Sequence, residues 1–276
     1  MISFLRNKYY WFKINQKLKF FLAKNNESKI LIFGFPKSGN TWLRFLIYNY
    51  LNLLINPSQD KTISFDMLNK LQNNVLDRGT TFSNQNGFPL FYRTHKIYKK
   101  PYDLFDKKIF IHRNPLDTLI SSYYFYKNRK IPFSDEPKNI REKLHDIDYY
   151  VLYKIDDWIN YFNISLRHAD FIINYSNLKN DCENQLSKLV KFLDWDLNQS
   201  LIEKSIKMSS FKNIKKMSEE KFQQYGNGPS DGTFFGKFTR SGKEGQFYNE
   251  LRSKTIEDVQ KKFPEFHKLY QIKIEN

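Results

Sequence analysis

The apolar run KILIF, residues 29–33, leads directly into GFPKSGNTW, residues 34–42. A strand that turns through glycines into a helix aims backbone N–H groups and a helix N-terminus at one point. This feature constrains the fold most: it belongs to α/β sheets, and it marks an anion site. Gly34 and Gly39 enclose four residues, and Thr41 follows two positions later. A nucleoside-triphosphate loop, Gly-x4-Gly-Lys-Ser/Thr, would have lysine at position 40. Here that position is Asn40, and the lysine is Lys37. Lys37 supplies a point charge to the loop, and Ser38, Asn40 and Thr41 supply donors.

Four short runs read as strands: Lys29–Phe35, Phe91–Thr94, Lys108–His112 and Asp170–Tyr175. They are rich in Ile and Phe without clean alternation, as strands covered on both faces are. Helical stretches lie between them. Thr41–Leu54 is apolar nearly all round and predicts a buried helix. Asn114 is a good N-cap, Pro115 suits the first helical position and Asp117 complements the positive helix start. A helix over about 115–127 follows, and residues 138–163 and 180–194 carry helical spacing. The expected fold is one α/β domain, a central parallel sheet with helices on both faces, opened by the strand–loop–helix unit.

The chain of 276 residues is long enough for a real core, and 40 % apolar with 17 % aromatic residues describes a folded protein. Its single cysteine, Cys182, allows no internal disulfide and fits a reducing, cytoplasmic setting. No apolar run approaches the ~20 residues of a membrane span. The net charge of +16 suits an anionic ligand, a nucleic acid or an anionic membrane surface. Residues 1–28 are basic and aromatic and predict a helix, packed on the domain or lying weakly on an anionic membrane. Residues 29–276 form the domain. Six of the ten glycines fall between Gly226 and Gly245, which predicts a long functional loop.

A second phosphate motif lies far from the first. In HRNPLDTLISSYYFYK, Arg113 ends a strand and Ser121 lies on the next helix. Both reach the carboxyl end of the sheet, where open α/β sheets bind ligands. Together, PKSGNTW and this segment resemble the 5′-phosphosulfate loop and the 3′-phosphate motif of the sulfotransferases that use 3′-phosphoadenosine 5′-phosphosulfate (PAPS). The common loop has Thr where this chain has Asn40. The segment from Phe238 to Phe247, FTRSGKEGQF, resembles the family's C-terminal motif, Arg-Lys-Gly followed by Gly-Asp-Trp. Arg240 and Gly242 match it, Ser241 replaces the Lys and Phe247 the Trp. The resemblance runs from about residue 29 to 250.

The resemblance implies the chemistry. A sulfuryl group passes from PAPS to an acceptor hydroxyl or amine. His95, at the end of FYRTH, looks like the His of the family's Lys-Thr-His motif, with Arg93 in place of the Lys. An imidazole titrates near neutrality, as a general base must. Lys37 holds the 5′-phosphate and then stabilises charge on the bridging oxygen. Trp42 and Phe211 resemble the rings that hold the adenine, Ser209 falls where the family uses Thr, and Tyr175 where it uses Tyr. His112 reads as structural.

No His/Cys/Asp/Glu cluster has metal-ligand spacing, so no metal is expected. A P-loop kinase is the rival enzyme class, and it would need Lys at 40 and an acid ending a neighbouring strand. A basic nucleic-acid or membrane module is the rival non-enzyme class. No nucleic-acid recognition motif appears, so the expected partner is a small-molecule or saccharide acceptor. Residues 123–162 are aromatic and charged enough to cover it. The family's C-terminal dimer motif is unmatched, because Tyr248 falls where its Lys would.

Overall fold

The computed structural model describes residues 28–58, 61–74, 90–95, 101–128, 132–134, 136–225 and 242–270. The expectations for residues 1–27, and those for most of the glycine-rich segment including Arg240 and Ser241, lie outside them. The strands are β1 (Lys29–Phe33), β2 (Gln72–Asn74), β3 (Leu90–Thr94), β4 (Lys107–His112) and β5 (Phe171–Asn174). The helices begin with α1 (Asn40–Ile55), α2 (Phe65–Lys70), α3 (Pro115–Lys127) and α4 (Lys138–Arg141). They continue with α5 (Ile147–His168), α6 (Tyr175–Asn180), α7 (Cys182–Phe192), α8 (Gln199–Met208) and α9 (Phe211–Tyr225). Three short ones follow: α10 (Phe247–Glu250), α11 (Ser253–Lys262) and α12 (Phe266–Tyr270). Among the described residues no helix is long and apolar enough to cross a membrane.

The chain divides into two compact units. The first comprises residues up to Phe35, Gly39–His112 and Ile164–Ser209, and holds the whole sheet. Its strand order is β2-β3-β1-β4-β5, and every neighbouring pair is parallel. The four expected strands are all there: β1 and β5 are shorter than expected, and β3 and β4 each start one residue earlier. β2 is additional. Its sequence, QNN, is short and polar and stands at an edge, so it gives no apolar signal. The central strands are covered on both faces: Ile30, Leu31, Ile32 and Phe33 of β1 are all buried, as are Ile109, Phe110 and Ile111 of β4. α1 is buried from Leu43 to Leu53 without interruption, which is why its apolar residues show no single stripe. α8 locks onto it, with Ser205 Oγ donating to the Leu46 carbonyl at 2.8 Å.

The second unit comprises Pro36–Ser38, Arg113–Asn163 and the chain from Ser210 on. α3 has the expected bounds. Asn114 Oδ1 accepts the N–H groups of Leu116 and Asp117, and Pro115 follows the cap. The helical spacing over 138–163 is broken between two helices. α4 ends at Arg141, and α5 starts afresh because Asp146 Oδ1 accepts the N–H groups of Asp148 and Tyr149. The helix expected over 180–194 likewise starts after a break at Asp181, behind the short α6. In α5, Trp158 stacks on Phe162 at 5.0 Å and meets Phe263 edge-on at 5.5 Å. Tyr123, Phe133, Leu144 and Tyr150 bury one another in a separate cluster. These aromatic residues of the 123–162 segment pack into the core of the second unit.

Candidate active site

In the first unit the site is built where β1 turns into α1. Gly39 sits at φ 101°, in the left-handed region, and a Cβ there would come within 2.6 Å of the Tyr175 ring. Only glycine serves both conditions. Asn40 Nδ2 donates back to the Phe35 carbonyl at 3.1 Å, closing the loop. The residue that departs from the common motif thus braces the turn with its side chain. No side chain caps α1, and its first turn carries no acid. By contrast α3 is capped by Asn114. The N–H groups at the start of α1, those of Thr41 and Trp42 among them, suit an anion. Trp42 meets Tyr175 edge-on at 5.5 Å.

His95 stands at the end of β3. Its Nδ1 lies 2.9 Å from the Gly34 carbonyl oxygen, across 61 residues of chain. A carbonyl only accepts, so Nδ1 carries the hydrogen and Nε2 keeps the basic lone pair. Arg93 is half-buried two residues earlier on the same strand. Ser209 is fully buried, and its Oγ accepts from Asn49 Nδ2 at 2.9 Å.

In the second unit Lys37 adopts φ 73°. Its Nζ lies over the Phe125 ring, 4.7 Å from the centroid. Burial, and then the charge of Arg113, lower the Lys37 ammonium to a pKa of about 8. Ser38 is fully buried, and its Oγ has no hydrogen-bond partner among the described residues. An orphaned hydroxyl beside a lysine in a glycine-bounded loop fits a phosphate or sulfate ligand. Arg113 is 6 % exposed and donates to the Lys243 carbonyl at 2.7 Å. Asp117 accepts the N–H groups of Gly245 and Gln246 at 2.9 and 3.0 Å. Ser121 is half-buried on α3. Gly242, at φ 63°, lies against the half-exposed Phe211, where a Cβ would approach the ring to 2.8 Å. His112 is buried, and burial depresses its imidazole to about 4, as suits a structural, neutral histidine.

The family model for the sulfotransferase domain matches residues 27–272. The chain belongs to the sulfotransferase family. Among its relatives is an amine sulfotransferase of Oryctolagus cuniculus, 25 % identical over 95 % of this chain and 87 % of that one. Another is a 3-beta-hydroxysteroid sulfotransferase of Cavia porcellus, 26 % identical over 92 % and 85 % of the two chains. The structure of retinol dehydratase with androsterone and the inactive cofactor PAP covers 90 % of this sulfotransferase and 83 % of its own chain. It aligns with a TM-score of 0.63 at 14 % identity, so what it shares is the fold.

Two contacts near the candidate site residues carry no signal in the sequence. Phe125 beneath Lys37 is one aromatic in the run YYFY, and nothing in the sequence singles it out. Asp117 belongs to the segment that resembles the 3′-phosphate motif and suits a helix start, and its carboxylate also fastens residues 245–246.

Proposed function

We propose that this sulfotransferase moves a sulfuryl group from PAPS to the hydroxyl or amine of a small-molecule acceptor. The observation that carries the reading is the placement of two cations, Lys37 and Arg113, with the Lys37 ammonium depressed first by burial and then by the charge of Arg113. Two like charges held together call for an anion with more than one charged group. PAPS, when bound, supplies the sulfuryl group and a bisphosphate leaving group.

The protein's own residues then have distinct tasks. Lys37, Ser38, Gly39, Asn40 and Thr41 hold the 5′-phosphate end, and Lys37 meets the charge that grows on the leaving oxygen. Arg113 and Ser121 take the 3′-phosphate; Arg240, Ser241 and Gly242 are assigned to it by resemblance alone. Trp42, Tyr175, Ser209 and Phe211 are assigned to the adenosine on the same ground. His95 takes the acceptor proton at Nε2, and its Nδ1–H stays on the Gly34 carbonyl. Arg93 stands beside it on β3.

The acceptor class extends from the names of the relatives, an amine and a hydroxysteroid sulfotransferase, to this chain as a proposal. A cytoplasmic location belongs to the same reading, as does a domain over residues 29–276 preceded by a separate segment. The test is transfer of radiolabelled sulfate from PAPS to a panel of phenols, alcohols and amines. The label should appear in an acceptor. Hydrolysis alone, or no turnover with any class, would overturn the reading.

A further inference from the structure

Two buried polar side chains in the first unit, Arg44 and Gln72, have no acidic partner among the described residues. Arg44 on α1 is 3 % exposed. Its Nη2 donates at 3.4 Å to the Leu68 carbonyl and at 3.4 Å to Asn69 Oδ1, near the end of α2. Its Nε has no hydrogen-bond partner. Gln72 is also 3 % exposed, and neither Nε2 nor Oε1 of its amide has one.

Register brings these groups together with Arg93. Gln72 pairs with Phe91 across β2 and β3. Tyr48, one helical turn after Arg44, packs its ring on Phe91 at 4.8 Å. Strand residues two apart share a face, so Arg93 lies on the face of Phe91, one step nearer His95. Burial first, and then the charge of Arg93, hold the Arg44 ionisation well below its ordinary value.

A second reading of Arg44 is that it simply caps α2. That accounts for Nη2, through two long bonds, and leaves Nε and the whole Gln72 amide unmet. It also leaves a buried guanidinium with no carboxylate on it among the described residues. Buried charge is tolerated when something of opposite sign is supplied. Two guanidinium forks and one amide N–H match the two oxygens of a carboxylate.

We infer that Arg44, Arg93 and Gln72 form an anion recess beside His95, and that it receives a carboxylate carried by the acceptor. The inference rests on the reading of His95 as the acceptor's base. An acceptor with a carboxylate at one end and a hydroxyl at the other would anchor in the recess and present the hydroxyl to Nε2.

The experiment compares 4-hydroxyphenylacetate with its neutral amide, 4-hydroxyphenylacetamide, by calorimetry on protein saturated with adenosine 3′,5′-bisphosphate. The acid should bind at least about tenfold tighter. Arg44→Gln should bring the ratio to about one, Arg44→Lys should keep part of it, and the bisphosphate affinity should be unchanged in both. Equal binding of acid and amide by the wild-type protein, or no binding of either, overturns the inference without need of any variant. A preference that survives Arg44→Gln overturns it as well. Benzoate, an anion with no phenol, should compete with 4-hydroxyphenylacetate; benzoate that binds without competing would mean a separate anion site and sink the acceptor assignment. Should the bisphosphate itself fail to bind, the nucleotide reading falls. The same comparison on the nucleotide-free protein then still reports on the recess.

Discussion

Arg113 Nη2 donates to the carbonyl oxygen of Lys243 at 2.7 Å, across 130 residues of chain. Within the second unit the segment that opens α3 and the chain at Lys243 are thereby tied at the guanidinium expected to meet a 3′-phosphate. One of five N–H donors serves the carbonyl. If Arg113 reads the 3′-phosphate, wild-type protein binds adenosine 3′,5′-bisphosphate much more tightly than AMP. Arg113→Ala should cut that preference about 10- to 100-fold. Arg113→Lys should restore little, because an ammonium cannot reproduce the planar fork. Calorimetry giving an unaltered ratio in the alanine variant would remove Arg113 from the site.

Asp117 makes the second tie. Its carboxylate is 1 % exposed and accepts the N–H groups of Gly245 and Gln246. An asparagine has one accepting oxygen, and its NH2 would face a backbone N–H. Asp117→Asn should therefore cost about 1.5–3 kcal/mol in denaturant unfolding. Amide exchange at Gly245 and Gln246 should quicken. Unchanged exchange there would show that the segment is held by other contacts.

His95 separates chemistry from binding. His95→Ala should lower kcat about 10²- to 10⁴-fold and leave bisphosphate affinity nearly intact. His95→Gln keeps a side-chain donor for the Gly34 carbonyl but has no basic nitrogen, so it should be as inactive as the alanine variant. Normal turnover in either variant would place the base elsewhere.

What the sequence disclosed, and what it did not, follows the range of the interactions. The turn at 34–42, the buried α1 and the cap at Asn114 are local, and each was readable from neighbouring residues. The strands of the sheet interior were readable because both of their faces are apolar. β2 was not, since three polar edge residues are held only by their ladder to β3. The break before α5 depends on one side chain, Asp146, overriding a helical pattern that continues past it. α8 and α9 were not anticipated. Lys37 and His95 were singled out by the motifs around them, each in its own unit. Their neighbours, Phe125 and the Gly34 carbonyl, were not singled out, because a ring in a run of aromatics and a backbone oxygen carry no signal in sequence.

His112 gives the fold a pH dependence. Its folded-state pKa is about 4 against an ordinary 6.5, and burial is the cause. Between those values the unfolded chain binds the proton and the folded one does not. Stability is therefore fully present above pH 6.5 and is lost as pH falls toward 4. The whole difference is about 3 kcal/mol at most. Unfolding curves of wild type and His112→Gln should diverge in slope across that window and run parallel above it. Parallel behaviour throughout would mean that His112 is not held neutral.

Lys37 gives nucleotide binding a pH dependence of its own. In the protein without ligand its pKa is about 8, lowered from 10.5 by burial and then by Arg113. A bound phosphate is fully ionised above about pH 7 and favours the charged ammonium. The bound pKa must then exceed the free one, so binding above pH 8 takes up a proton. Affinity for adenosine 3′,5′-bisphosphate should fall as pH rises through 8, approaching about tenfold per pH unit while the bound form stays charged. Titrations at pH 9 in buffers of different ionisation enthalpy should report uptake approaching one proton per nucleotide. Lys37→Met should abolish that uptake. Arg113→Ala should shift its onset to higher pH, because the neighbouring charge that depresses Lys37 is gone. Binding at pH 9 with no proton uptake in the wild-type protein would mean that Lys37 does not meet the phosphate, and the catalytic role given to it would go with that contact.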